Sequence, residues 1–164
     1  EIDGYKATVD YTYSCDMRAL VVNERHYSPS STLDKLAPVS AVLAWGVVAE
    51  YNNKIDFGWQ QPMRGLATWN AKEDQLAAIG GSKAIYQNST DAYLVPANDS
   101  IREEFRKIKQ GDYLHLTGYV GDGYCRKAED NYIGIGGGDL AKTLKGEDDN
   151  FYSVICVTKI EWLK

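Results

Sequence analysis

Gly136 to Thr143, GGGDLAKT, is the stretch closest to a chemical signature. It nearly spells the phosphate-binding loop G-x-x-x-x-G-K-S/T. Ala141 stands where the second glycine should let backbone amides close around phosphate, and only residues 144–164 follow, too few for the rest of a nucleotide-binding sheet. The stretch reads as a glycine-rich surface loop. Nucleophilic catalysis needs a nucleophile, a base and an orienting group. The chain has two histidines, His26 and His115, and three cysteines, Cys15, Cys125 and Cys156. No G-x-S-x-G elbow is present, and the carboxylates show no acid and base pairing that sets them apart from surface charge. No catalytic set is assigned. A small hydrolase-like enzyme, using His115 with a nearby Cys, Tyr or carboxylate, is the alternative reading.

The cysteines lie too far apart for paired C-x-x-C knuckles, so no metal site and no cofactor is expected. In an oxidising compartment one disulfide and one free thiol would have three alternative pairings; in a reducing one all three would be small buried hydrophobes. The aromatic and basic residues point to binding instead. Trp59, Arg64, Trp69, Tyr93 and His115 are the candidate binding residues, because indole and phenol rings give broad contact with a polar tip and arginine pairs or stacks. Such a groove would take a protein, peptide or saccharide. Trp45, inside an apolar run, belongs to the core.

The elements that must position these residues are organised by Leu94 to Val120. Ser100 and Glu103 form an S-x-x-E helix start, Ile101, Phe105 and Ile108 share one face, and Gly111 supplies the stop, so a helix of about ten residues is predicted. Leu114, Leu116, Gly118 and Val120 then alternate with Tyr113, His115, Thr117 and Tyr119, the pattern of a half-buried strand. Further strands are predicted over Tyr5–Tyr13, Met17–Arg25, Val39–Tyr51 (bent at Gly46, with a buried helix as the alternative that Gly46 and the β-branched residues disfavour), Ile55–Trp59, Met63–Trp69, Asn131–Gly136 and Phe151–Leu163. His26 opens an exposed loop. A second, short helix starts near Asn70 and stops at Gly80-Gly81; residues 82–95 are mixed and end in an extended segment.

No strand–helix–strand rhythm repeats. The predicted fold is α+β: a mainly antiparallel sheet curled into a partly closed, OB-like barrel, with one well-defined and one short helix, residues 1–164 forming a single domain. A net charge of −5 and a pI near 5.0, with Lys and Arg scattered, argue against a nucleic-acid partner. No apolar run is long enough to span a bilayer. The chain starts at Glu1 without Met, which suggests a fragment trimmed of a tag, signal peptide or anchor.

LAPVSAVLAWG (Leu36–Gly46) and NSTDAYLVPANDSIREEFRKIKQGDYLHLTGYV (Asn88–Val120) resemble a family of uncharacterised bacterial proteins that are exported or membrane-anchored. That family's pattern runs L-x-P-x-D-x-x-L-x-W-G, an Arg-containing aromatic strand, S-x-N-x-H-L-I-P-A, a helix, then G-D-x-V-x-L-x-G-x-L-V. Trp45, Gly46, Arg64, Leu94, Pro96 and Ala97 fit it. Ser40 stands where the pattern has Asp, Asp91 where it has Asn, and Tyr93 where it has His. The resemblance implies a location and a fold, and no established activity. Sequence reading therefore favours a non-enzymatic, exported or membrane-anchored binding or interaction domain.

Overall fold

The computed structural model of the chain describes residues 2–4, 6–128, 131–135 and 152–164, and for residues 9, 11, 122–128 and 131–135 the backbone alone. Its longest element is β1 (Lys6–His26), one continuous strand where the sequence suggested two. Register shifts between Tyr11 and Tyr13 and between Val21 and Asn23 let it bend without breaking. Its first part pairs with β6 (Tyr113–Ala128) and its last part with β2 (Val39–Ala44), both antiparallel. β5 (Ser89–Pro96) lies antiparallel to β2 and parallel to β8 (Tyr152–Leu163), and β8 returns antiparallel to β6. Five strands thus pair in a ring, in the order β1, β2, β5, β8, β6 and back to β1. β7 (Asn131–Ile135) extends β6 as a hairpin.

Alternate residues of all five strands face one another and form the main core: Cys15, Ala19 and Val21 from β1, Val39, Ala41 and Leu43 from β2, Ala92 and Leu94, Leu114 and Leu116, Ile155 and Val157. The alternation at Leu114 to Val120 is as the sequence predicts. α5 (Asp99–Phe105) packs Ile101 and Phe105 onto the same core, followed by Ile108 in the next turn. The helix begins two residues before the S-x-x-E pattern suggested. Its cap is Asn98, whose side chain accepts from the Ile101 amide at 3.0 Å, because asparagine presents an acceptor in the extended conformation that precedes a helix.

The segment between β2 and β5 departs most from expectation. The apolar run from Val39 to Tyr51 divides into β2 and the helix α2 (Gly46–Tyr51), not one strand. β2 is buried on both faces and α2 packs on its neighbour, so both read as unbroken hydrophobicity. Ile55 and Phe57 are not in a strand; they are buried in a second core with Val42, Ala44, Val48, Leu76, Ile79 and Ile85. Met63–Trp69 is half of a hairpin, β3 (Gln60–Met63) and β4 (Leu66–Thr68), turning on Arg64 and Gly65. α3 (Glu73–Leu76) continues as a 3-10 turn and stops at Gly80 as predicted, although Lys72 occupies its cap. Besides α2, two helices were not foreseen: α1 (Thr32–Leu36), in the stretch read as a loop, and α4 (Ser82–Gln87). The described residues therefore hold five α-helices, mostly short, rather than two. The glycine-rich loop Gly136–Thr143 lies outside the described residues.

Candidate functional site

Ring strands expose their second face outward, and on β2 and β5 that face carries Ser40, Asp91 and Tyr93, all buried. The β3–β4 hairpin covers them. Gln61 on β3 donates from Nε2 to Asp91 Oδ1 at 2.9 Å and to Ser40 Oγ at 3.2 Å, and the Ala67 amide of β4 donates to Asp91 Oδ2 at 3.1 Å. The Ser40 and Tyr27 hydroxyls are 3.0 Å apart. Burial pushes the Asp91 carboxyl up to about 6, against the pull of Gln61, the Ala67 amide and Arg64. Tyr93 is raised as well, by burial and then by the nearby Asp91. Gln61 Oε1 is buried and has no hydrogen-bond partner.

Arg64, at the hairpin turn, reaches away from this cluster to the segment 27–38 that joins β1 to β2. Its Nη1 donates to the Ala37 carbonyl at 2.7 Å and its Nη2 to Asp34 Oδ1 at 2.7 Å. The guanidinium stacks on Tyr27, 3.6 Å from the ring centre, and lies 5.8 Å from that of Tyr93. Burial would raise the Asp34 carboxyl, but hydrogen bonds from Ser31, Arg64 and Ser30 together hold it below its ordinary value. A second arginine, Arg102 of α5, donates to the Lys35 carbonyl at 2.7 Å. Both arginines thus bind carbonyls at the end of α1, where the helix dipole is negative.

Arg102 also separates two cavities that line up along α5. One, of about 220 Å³, has the buried Val39 and Phe105 at its floor, with His26, Tyr27, Pro29, Asp34 and Pro38 around it and Arg102 and Arg106 at its edge. The other, of about 350 Å³, is lined among others by Leu36, Val95, Pro96, Asn98 and Cys156. Residues of both α1 and α5 line each of them. No family model, curated protein or solved structure compared with this chain matches it.

Of the sequence-predicted site residues, the structure brings Arg64 and Tyr93 together. Trp59 and Trp69 flank the hairpin but pack on the second core, Trp59 stacked on Phe57 at 5.2 Å and donating to Asn52 Oδ1, Trp69 edge-on to Tyr86 at 6.4 Å. His115 is elsewhere, on the outer face of β6, with Nε2 at 2.6 Å from Asp16 and Nδ1 at 3.2 Å from Glu161. It pairs across the sheet with Arg18, whereas Cys125 pairs with Ala7; ten residues of strand, roughly 30 Å, separate the two, so they form no dyad. Cys15 and Cys156 are buried. Sequence reading passed over Tyr27, Asp34, Gln61 and Arg102, and gave Ser40 and Asp91 no role at a site. The one usable signal was Asp91, a carboxylate in the middle of a strand whose eight residues are all buried. Among the described residues, no group of His, Cys, Asp and Glu is arranged to hold a metal ion, and no helix is long and apolar enough to cross a membrane.

Proposed function

We propose that this chain is a non-enzymatic binding domain, exported or membrane-anchored, built on an OB-like ring, which takes a segment of peptide or protein along a groove that the two cavities between α1 and α5 mark out. The pairing order of the ring, its one parallel pair and the position of α5 between β5 and β6 support the OB-like reading. OB-folds use the face of their second and third strands and the loop after the first. Here the corresponding face, on β2 and β5, lies under the chain's own hairpin, which leaves the side of residues 27–38.

The smaller cavity carries the choice of ligand. At about 220 Å³ it falls below the size of pockets that enclose whole small molecules, and suits a single side chain. An apolar floor edged by Arg102 and Arg106 fits an apolar residue next to an acidic group. The test is a synthetic peptide library screened by NMR, with saccharides in parallel. Expected are shifts at Val39 and Phe105 with acidic, apolar peptides and about tenfold weaker binding in Arg106→Glu, whose side chain is exposed. Saccharide binding without peptide binding, or shifts mapping away from α5, would overturn it.

A second reading, the small hydrolase, keeps one specific observation: His115 sits between two carboxylates. Asp16 would orient the imidazole as such partners do in acid–base sites. Hydrolysis of simple esters or glycosides that is lost in His115→Gln with the fold intact would favour it; equal rates in the two proteins exclude it.

A further inference from the structure

Asp91 fastens both strands of the β3–β4 hairpin to the ring, one carboxylate oxygen on Gln61 of β3 and the other on the Ala67 amide of β4. The hairpin leaves the second core through a narrow neck. Gly58 has a φ of +59° and the Asn70 amide donates to the Phe57 carbonyl at 2.7 Å, closing the base of the loop. Trp59 and Trp69 hold either side of that neck to the second core; within the hairpin Ala67 also packs on it, so lifting residues 60–68 gives up that contact while the base stays in place. We propose that this hairpin is a pH-sensitive strap over the outer face of β2 and β5, fastened in acid and loosened as the pH rises towards neutrality, with Asp91 as the group that titrates.

The other tethers of the hairpin are made by two arginines. Arg25 at the end of β1 donates to the carbonyls of Gln61 and Pro62. Arg64 in the turn holds Ala37 and Asp34. Around the carboxyl itself stand Ser40 of β2, which carries no charge, Tyr93 of β5 and Tyr152 of β8, which pairs with Asp91 across the sheet. Tyr27 reaches it through Ser40. Tyrosine and arginine do not change protonation between weak acid and neutrality, and Asp34 titrates below its ordinary 3.8. His26 bonds the Ile108 carbonyl and faces away from this cluster's hydrogen bonds.

Lifting the hairpin exposes Asp91 to water and returns it from about 6 to its ordinary 3.8. The fastened state holds the proton more tightly, so it is favoured in full below 3.8 and loses that advantage as the pH rises through about 6. The released population grows about a hundredfold between about pH 3.5 and about pH 7. This stands apart from the groove between α1 and α5 and needs no ligand to test.

Hydrogen exchange of the Ala67 amide, referred to that of Leu43 in the middle of β2 so that intrinsic chemistry cancels, reads the strap directly. In the unaltered protein the relative protection is expected to fall about a hundredfold over that pH range, and in Asp91→Asn to change less than about threefold. Ala67 protection that tracks Leu43 throughout, or a pH dependence that survives Asp91→Asn, would overturn the proposal. Should the variant not fold, the 13C shift of the Asp91 carboxyl in the unaltered protein decides: a midpoint near 6 supports the strap, and one at the ordinary 3.8 sinks it.

Discussion

The Arg64 guanidinium lies 3.6 Å from the centre of the Tyr27 ring while its nitrogens reach Asp34 and the Ala37 carbonyl. One side chain thereby ties the hairpin turn to α1 and to the chain leaving β1. Only 11% of the Arg64 side chain is exposed and 17% of Asp34, so removing the cation leaves a largely buried carboxylate without its partner. Arg64→Ala is expected to cost about 2–4 kcal/mol in urea denaturation. Arg64→Lys should recover less than half, because an ammonium replaces neither the planar stack nor the two-pronged fork. A lysine variant as stable as the parent would show that charge alone matters.

Asp34 and Asp91 respond to acid in opposite directions. Asp34 is held below its ordinary 3.8, so its contribution is present above that pH and is lost as the pH falls through the folded value. Asp91 is raised, so its carboxyl favours the folded protein in acid. Asp34→Asn is expected to be less stable than the parent at neutral pH and to flatten the decline below about pH 4. Chemical denaturation at a series of pH values checks this; parallel curves for the two proteins would contradict it.

Gly65 and Tyr93 test how closely the hairpin turn is seated. Gly65 has a φ of +72°, and a Cβ there would run into the Tyr93 hydroxyl, with the ring carbon behind it at 3.3 Å. Gly65→Ala should cost about 3 kcal/mol, part from the left-handed backbone and part from the collision. Tyr93→Phe removes the colliding oxygen and leaves the backbone strain, so in that background the same substitution should cost about 1–2 kcal/mol. Equal costs in both backgrounds would mean the turn does not sit against the ring of Tyr93.

Cys15 is expected to be inert. Burial, and then the negative charge of the adjacent Asp16, push its thiol up to about 11, and only the thiolate attacks alkylating reagents. Native iodoacetamide treatment at neutral pH followed by mass spectrometry should leave Cys15 unmodified, while labelling in denaturant reaches it. Rapid native labelling would show that this part of β1 opens readily.

What was legible in the sequence follows the period of its elements. The strand at Leu114 to Val120 alternates cleanly because one of its faces meets the core and the other does not. β2 and β5 are buried on both faces, one by the ring interior and the other by the inserted hairpin and second core. Their pattern carries no period, so neither the end of β2 at Ala44 nor the start of β5 at Ser89 could be placed. The same burial hid the site. Arg64 and Tyr93 drew notice as residue types, but Gln61 and Asp91 become a pair only across 30 residues of chain, once β3 lies over β5. Trp59 and Trp69 misdirect for a related reason, since a tryptophan lining a groove and one covering a second core have the same local sequence.

Gly118 gives the sharpest test of the ring itself. β6 and β8 pair with a register shift at Thr117 and Gly118, and a Cβ on Gly118 would collide with the backbone carbonyl of Cys156, lying 2.9 Å from its carbon and 3.1 Å from the Val157 Cα. Backbone atoms on both sides cannot rotate away as a side chain would, so the strands themselves must part. Gly118→Ala is expected to cost about 3 kcal/mol or more, or to prevent folding. Gly111→Ala is the control: its φ is +92° and a Cβ there meets nothing within 4 Å, so only left-handed strain is added, about 1–2 kcal/mol. Circular dichroism melts of the two variants separate the effects. If Gly118→Ala were no more damaging than Gly111→Ala, β6 and β8 would not approach each other as closely as the ring requires.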